Sequence, residues 1–566
     1  MHLRCSDVSA SRYWHTWKSP KEASLPSPKY KALRTSYAAR NAQYMSSRKA
    51  FEIELCNIET SKDFIEFQST NTTDKTSINV IGKFTDNITS PEYTRVTILD
   101  LKPSYNICDR VAIKIEARDS LNRRKTYGGD MFRVKLFTQK PYSAVNPDNF
   151  FDYNNGTYIA LFTILWEGYI DLQVMLVHPA EVIPLFSPTL NGSRAHTKLF
   201  FGGFVAKDKN GKVHSERTVC TITEREEPFC NLSQTQTYGP WYCSAPKDEY
   251  LNCSHWTTHS TDKKGTPKLL QPLLDKVAKQ ILDRTKKVIY RSNRLITATT
   301  KTNSLFQHYS QLRNDSLPYC KANGPPPIKA NGYFFQGKWY PLHCVVHRFS
   351  TEEIRECLEG KTIHFYGDST GKQVFSLLQS RLKCETIDLP PPRKTSPHEQ
   401  LCRTNNITLH NTFHGLPIIG SKKVKVQNIH YAATEIDNLV GGPNVIIFLS
   451  YWAHFSMTGT KFYEKRITLV KEAIYRLLDR SPETKVVMKG ANTRGYSGDI
   501  VNVLSSDWHS LHLEKTLRKC FQNDTDFGFI DSWDITQVQP FSDNVHPRHS
   551  IVGTYIDLFM TYICKK

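Results

Sequence analysis

Long apolar runs are what the chain most clearly lacks. Across its 566 residues no stretch reaches the roughly 18 consecutive apolar residues that a membrane-spanning helix requires. The richest run, Val445-Ile446-Ile447-Phe448-Leu449, has the length of a strand. Met1 to Pro20 has no apolar core of the kind that marks a secretory leader, and carries Arg4, Asp7, Arg12, His15 and Lys18 instead. Cysteine pairs with the short Cys-x2-4-Cys spacing of zinc sites are absent, so no metal is expected. Lys plus Arg exceeds Asp plus Glu by 20, yet no basic block or nucleic-acid motif concentrates that charge. The surplus therefore reads as a solvated basic surface, and nucleic acid is not an expected partner.

The remaining composition, 39% hydrophobic and 23% charged, is that of ordinary folded protein. The length suggests about two to four domains. Fourteen cysteines and nine Asn-x-Ser/Thr sequons (Asn71, Asn87, Asn155, Asn191, Asn231, Asn252, Asn314, Asn406, Asn523) point to the secretory pathway, where disulfides persist and sequons are glycosylated. A secreted or Golgi-luminal protein is expected, and with it an N-terminus that is incomplete or alternative at Met1. Cys220, Cys230, Cys243 and Cys253 read as two disulfides, with three connectivities open.

Residues 1–90 are polar and without sustained period, a largely irregular stem. From 91 to 190 short alternating segments follow one another: Val96 to Leu99, Val111 to Ile115, Phe132 to Leu136, Tyr158 to Phe162 and Ile170 to Val174. They predict a β-sandwich. A Cys-rich extension fills 191–260. In 261–329, Leu269, Leu270, Leu273, Leu274, Val277, Ile281, Leu282 and Ile289 recur at helical spacing, predicting a core-facing helix, and Pro325-Pro326-Pro327 closes the region as a linker. From 330 to 566 strands alternate with helices, which predicts a parallel sheet covered on both faces, with ligands beyond the carboxyl ends of its strands.

Chemistry enters at Gly367-Asp368-Ser369-Thr370, directly after the apolar run Ile363 to Tyr366, and at Asp543-Asn544-Val545-His546 near the C-terminus. A serine hydroxyl becomes a strong nucleophile when an imidazole takes its proton, and a carboxylate can fix that imidazole's tautomer. Ser369, His546 and Asp543 fit these three roles, with Asp531 and Asp534 as rival carboxylates. His364, inside a strand, reads as a packed side chain. Gly367-Asp368-Ser369-Thr370-Gly371 also satisfies Gly-x-Ser-x-Gly, but that hydrolase fold places several strands before its nucleophile, whereas Ser369 follows the first strand of its domain.

Two resemblances order these features. Arg118-Asp119-Ser120, Tyr127-Gly128-Gly129-Asp130, Asn155-Gly156-Thr157-Tyr158, Trp166-Glu167-Gly168 and Val177-His178-Pro179-Ala180-Glu181 resemble the neurexophilin domain, an immunoglobulin-like extracellular module, and the stretch around Trp241-Tyr242-Cys243 resembles its continuation. Cys357 to Lys361, Gly367 to Thr370, Ala453-His454-Phe455, Lys489 to Arg494, Ile530 to Asp534 and Asn544-Val545-His546-Pro547 resemble the PC-esterase branch of the SGNH/GDSL hydrolases. In this order the modules are similar to the neurexophilin and PC-esterase (NXPE) family. That likeness implies a three-layer α/β domain in which Ser369 is nucleophile, His546 acid and base, and Asp543 its orienter. The usual Gly-x-Asn-Asp element is replaced by Tyr451-Trp452-Ala453-His454, which leaves Gly367, His454 and Asn492 as oxyanion candidates and Arg494 as a substrate-binding one. It further implies O-acetyl transfer to a glycan or glycoprotein, sialic acid included, with acetyl-CoA as a candidate donor and no bound cofactor. A carbohydrate esterase and a non-enzymatic ligand working through its β-sandwich are the alternatives.

Overall fold

The structure is a computed structural model. It describes residues 85–565 except 193–199, 225–226, 234–238, 263–270, 293–295, 300–316, 390–398 and 421–422. Most of the expected stem, with Cys5, Cys56 and Asn71, lies outside the described residues, as does Asn314. The last stem residues are not irregular: Thr89 is fully buried, and its hydroxyl donates to Asp130 Oδ1 at 2.7 Å.

Alternation of apolar and polar residues in Arg110–Glu116 and Thr157–Thr163 places every second side chain inside. These strands lie in a four-stranded sheet with Arg95–Leu99 and Asn149–Asp152. An eight-stranded sheet built around Met131–Thr138 and Gly168–His178 packs on it, and Val111, Ile113, Phe162, Val134 and Leu172 share one core between the two. Residues of the neurexophilin-like motifs brace this half. Asp130 accepts hydrogen bonds from the Ala180 N–H (2.8 Å) and the Tyr158 hydroxyl (3.0 Å), and Glu181 binds Lys125 and Tyr127.

The Cys-rich extension supplies five strands of a six-stranded sheet, in which Cys220 pairs with Cys243 and Cys230 with Cys253. Further bridges join Cys320 to Cys344, Cys357 to Cys564 and Cys384 to Cys402. Asn155, Asn191, Asn231, Asn252, Asn406 and Asn523 are exposed, and Asn87 is half-buried.

Among the described residues of 261–329, helix is confined to Gln271–Leu273 and Lys276–Leu282, so the long helix expected through Ile289 is interrupted. Leu269 and Leu270 lie outside the described residues, Gln271–Leu273 is one 3-10 turn, and Lys276–Leu282 is α-helical, capped by Asp275. Lys286 turns the chain through a left-handed conformation (φ 57°), and Lys287–Arg291 then pairs as a strand with Gly168–His178. The branched and aromatic run Val288-Ile289-Tyr290 suits that sheet edge, and tertiary pairing overrides the helical period. The proline linker is also anchored: Arg518 donates to Pro326 O, and Gly324 N–H to Phe527 O. Beyond it, the hairpin Gly332–Phe335 and Lys338–Pro341 pairs with Ser143–Val145 of the first half, and Val424–Lys425 closes the Cys-rich sheet.

The C-terminal half is built on a seven-stranded sheet. Five strands run parallel, in the order Ile407–Phe413, Thr362–Gly367, Val445–Ser450, Lys485–Lys489 and Gly528–Ile530, with an antiparallel pair at one edge. The helices Thr351–Leu358, Ser369–Leu382 and His549–Cys564 cover one face, Thr460–Arg480 and Asp507–Phe521 the other, giving three layers. Central strands buried on both faces explain the continuous apolar run at 445–449.

Candidate active site

The strand Thr362–Gly367 delivers the nucleophile candidate. At its end the main chain passes so close to the neighbouring strand that a Cβ on Gly367 would lie 1.9 Å from the Ser450 carbonyl oxygen, so only glycine fits. Asp368 caps the helix Ser369–Leu382: its Oδ1 accepts from the Thr370 N–H at 2.8 Å. Its Oδ2 accepts from the N–H groups of Trp452 (3.1 Å) and Ala453 (2.6 Å), binding the loop that follows the next strand. Thr370 Oγ1 lies 2.9 Å from Ser450 Oγ and accepts from the Trp452 indole. Gly-Asp-Ser-Thr is thus a brace around Ser369, which stands at the positive end of a helix.

Opposite it, His546 Nε2 lies 2.8 Å from Ser369 Oγ, across 177 residues of chain. The loop carrying the imidazole is held by side-chain amides. Asn492 Nδ2 donates to the carbonyls of Asn544 (3.3 Å) and Val545 (3.2 Å), Gln373 Nε2 to that of Pro547 (3.1 Å), and Asn544 Oδ1 accepts from the His546 N–H (3.0 Å). Burial lowers the His546 pKa from its ordinary value; the charges of Arg494 and Lys489 add to this, and Asp368 opposes it. The ring is therefore biased toward the neutral form that accepts a proton.

Asp543 is not at that ring. Arg133 Nη1 donates to both its oxygens (2.9 and 2.8 Å), and Lys286 Nζ (3.1 Å) and the Thr493 hydroxyl (2.9 Å) donate as well. Burial alone would raise the Asp543 carboxyl, but Arg133 and Lys286 outweigh it and hold it below the usual range. The orienting role expected for Asp543 is thus displaced by two cations from the first half. Neither rival takes its place. Asp531 caps the helix Ser532–Gln537 and binds Arg518, while Asp534 accepts from Asn146, Asn331 and Gly332.

The oxyanion candidates separate as well. Gly367 is a packing glycine, Asn492 is engaged on the His546 loop, and His454 Nδ1 lies 3.0 Å from His414 Nε2 in a buried histidine pair. Arg494 remains: its N–H donates to Asp507, its guanidinium lies over the Trp452 ring, and its Nη1 is buried with no hydrogen-bond partner among the described residues. Burial lowers its pKa to about 10, against the pull of Asp368. His364 packs in its strand, stacked on Tyr366.

Residues 97–276 match the family described as Neurexophilin. Residues 339–564 match the family described as NXPE family member 4-like, C-terminal domain. The chain belongs to the NXPE family. Its C-terminal domain thus falls in a family related to the PC-esterases. Among the described residues no helix is long and apolar enough to cross a membrane.

In this NXPE-family chain an open groove of about 350 Å³ is lined by Ser369, Lys372, Gln373, Ser376, Leu377 and Ser380 of one helix and by His546 and His549. Lys372 is half-buried there, and burial lowers its pKa. Apart from Ser369 and His546, sequence reading missed these positions, although 372, 373, 376 and 380 continue from 369 at helical spacing as a polar stripe and could have been found by it. Arg133, 410 residues from Asp543, carries no such signal.

Proposed function

We propose that this NXPE-family protein is a luminal or secreted glycan O-acetyltransferase that works through acyl-Ser369. The observation carrying the proposal is the contact of 2.8 Å between Ser369 Oγ and His546 Nε2 in the wall of an open groove. His546 takes the hydroxyl proton as Ser369 Oγ attacks the acetyl carbonyl, and returns it to the leaving group, a thiol if the donor is a thioester such as acetyl-CoA. The acceptor hydroxyl then attacks acetyl-Ser369, gives its proton to His546, and the same proton restores the Ser369 hydroxyl. Negative charge on the tetrahedral oxygen is met by the Ser369 N–H at the helix N-terminus and by Arg494, whose Nη1 is buried without a partner. Lys372, which lines the groove, suits an acceptor bearing a carboxylate, such as sialic acid. The immunoglobulin-like reading of the first half and the SGNH reading of the second belong to this proposal; the strand and layer order is in keeping with both.

One observation favours ester hydrolysis instead: although neighbouring groups crowd the His546 ring, the residue keeps access to solvent and the groove is open, so water can reach the acyl-enzyme. Incubation with an activated acetyl ester, followed by peptide mass analysis, tests both readings. Acetyl on Ser369, absent from Ser369→Ala, establishes the acyl-enzyme. Faster loss of that acetyl with a sialylated glycan than in buffer establishes transfer; no difference establishes hydrolysis. No acetyl-Ser369 at all would leave the protein a binding module.

A further inference from the structure

Two carboxylates and two cations, buried or nearly so, meet between the halves of the molecule. Arg133 lies on the strand Met131–Thr138, and Lys286 directly precedes the strand Lys287–Arg291; both belong to the eight-stranded sheet of the neurexophilin-like half. Arg133 forks, its Nη1 to Asp543 and its Nη2 to Asp507 Oδ2 at 3.0 Å. Lys286 bridges the same two carboxylates. Side-chain exposure is 9% for Arg133, 0% for Asp507 and 12% for Asp543, so the group is shielded from solvent and from salt screening.

The carboxylates are in turn wired to the site. Asp507 Oδ1 accepts from the Arg494 N–H at 2.6 Å, and Asp543 from the Thr493 hydroxyl, so both grip the loop after the strand Lys485–Lys489. Asp543 stands three residues before His546, on the loop that Asn492 binds from the other side. The Ser369–His546 contact is formed while Asp543 is engaged by the cations and not by the imidazole.

We propose that Arg133 and Lys286 are positioning residues of the candidate active site: by holding Asp543 and Asp507, the neurexophilin-like sheet sets the His546 loop against Ser369 and keeps Arg494 in place. The N-terminal half is then part of the catalytic apparatus as well as a binding module. The inference rests on the Ser369–His546 reading, and its test is built so that either can fail separately.

Full-length Arg133→Gln and Lys286→Gln would be compared with wild type by hydrogen exchange and by the rate at which a fluorophosphonate labels Ser369. Expected are faster exchange in 541–549 and 490–496 with the sheets still protected, and labelling slowed on the order of tenfold to a hundredfold below the unfolding temperature. With an ester substrate the fall should lie in kcat, with KM little changed, because the groove residues are untouched. Should Arg133→Gln fail to fold, Thr493→Val, which removes one bond to Asp543, carries the test with a smaller effect in the same direction. Unchanged exchange in 541–549, or unchanged labelling in a labelling-competent protein, overturns the proposal. A wild type that never labels while exchange still rises in the variants overturns the catalytic reading and reduces the cluster to an interface brace.

Discussion

Loss of the Cys357–Cys564 bridge should destabilise the protein more than loss of any bridge in the Cys-rich sheet while leaving the site untouched. The bridge ties the end of the first helix of the C-terminal domain to the end of its last, across a sequence separation of 207 residues. In the chain-entropy account, closing such a loop in the unfolded chain is worth about 5.4 kcal/mol at 25 °C. The comparator, Cys230–Cys253, spans 23 residues and is worth about 3.4 kcal/mol in the same account. The Cys384–Cys402 bridge, nested inside the larger loop, shortens it by 18 residues and changes the first figure by only about 0.1 kcal/mol. Double alanine variants of each pair, unfolded in urea and followed by tryptophan fluorescence, should therefore differ by about 2 kcal/mol. Because the effect lies in the unfolded ensemble, fluorophosphonate labelling of Ser369 in the folded baseline should be the same for both variants and wild type. Equal losses for the two pairs, or slower labelling in the folded Cys357→Ala/Cys564→Ala protein, would refute the reasoning and mean that the bridge shapes the native site.

Two further outcomes follow from the site. Gly367→Ala places a methyl group 1.9 Å from the Ser450 carbonyl oxygen, so the two strands must part; a stability loss of about 3 kcal/mol in urea titration is expected, together with loss of Ser369 labelling. The pH profile of kcat/KM should rise as His546 loses its proton, and since burial, Arg494 and Lys489 lower that pKa, its midpoint should lie below the ordinary 6.5; a midpoint at or above 6.5 would count against His546 as the base.

Much of the C-terminal half was legible in the sequence because its signals are local. The apolar run before Gly367 and the alternation of strands with helices are each read from residues a few positions apart, whereas the cap at Asp368 emerged only from the structure. The five strands named in the first half are present for the same reason, their period of two surviving in the burial of Arg110–Glu116. What was not legible is long-range. The partners of Asp543 are Arg133 and Lys286, and nothing near either residue announces the pairing. The helix expected through Ile289 is likewise interrupted by a long-range partner, since Lys287–Arg291 pairs with Gly168–His178. Asn492 and His454 were placed near the chemistry by motif position, but the direction of a side chain depends on neighbours that spacing does not encode.

The strands shared across the two halves bear on how such a protein can be rearranged. The family match to the C-terminal domain begins at residue 339, within a hairpin whose other strand, Gly332–Phe335, is paired to Ser143–Val145 of the first half. Val424–Lys425, inside the second module, is likewise the outer strand of the Cys-rich sheet. A chimera cut at the module boundary would split the hairpin and leave bare strand edges on both products, which invites edge-to-edge association. Exchange of one module between relatives should therefore succeed only when residues 332–341 and 424–425 travel with the sheet they complete, so the pair is inherited as one folding unit although it is written as two.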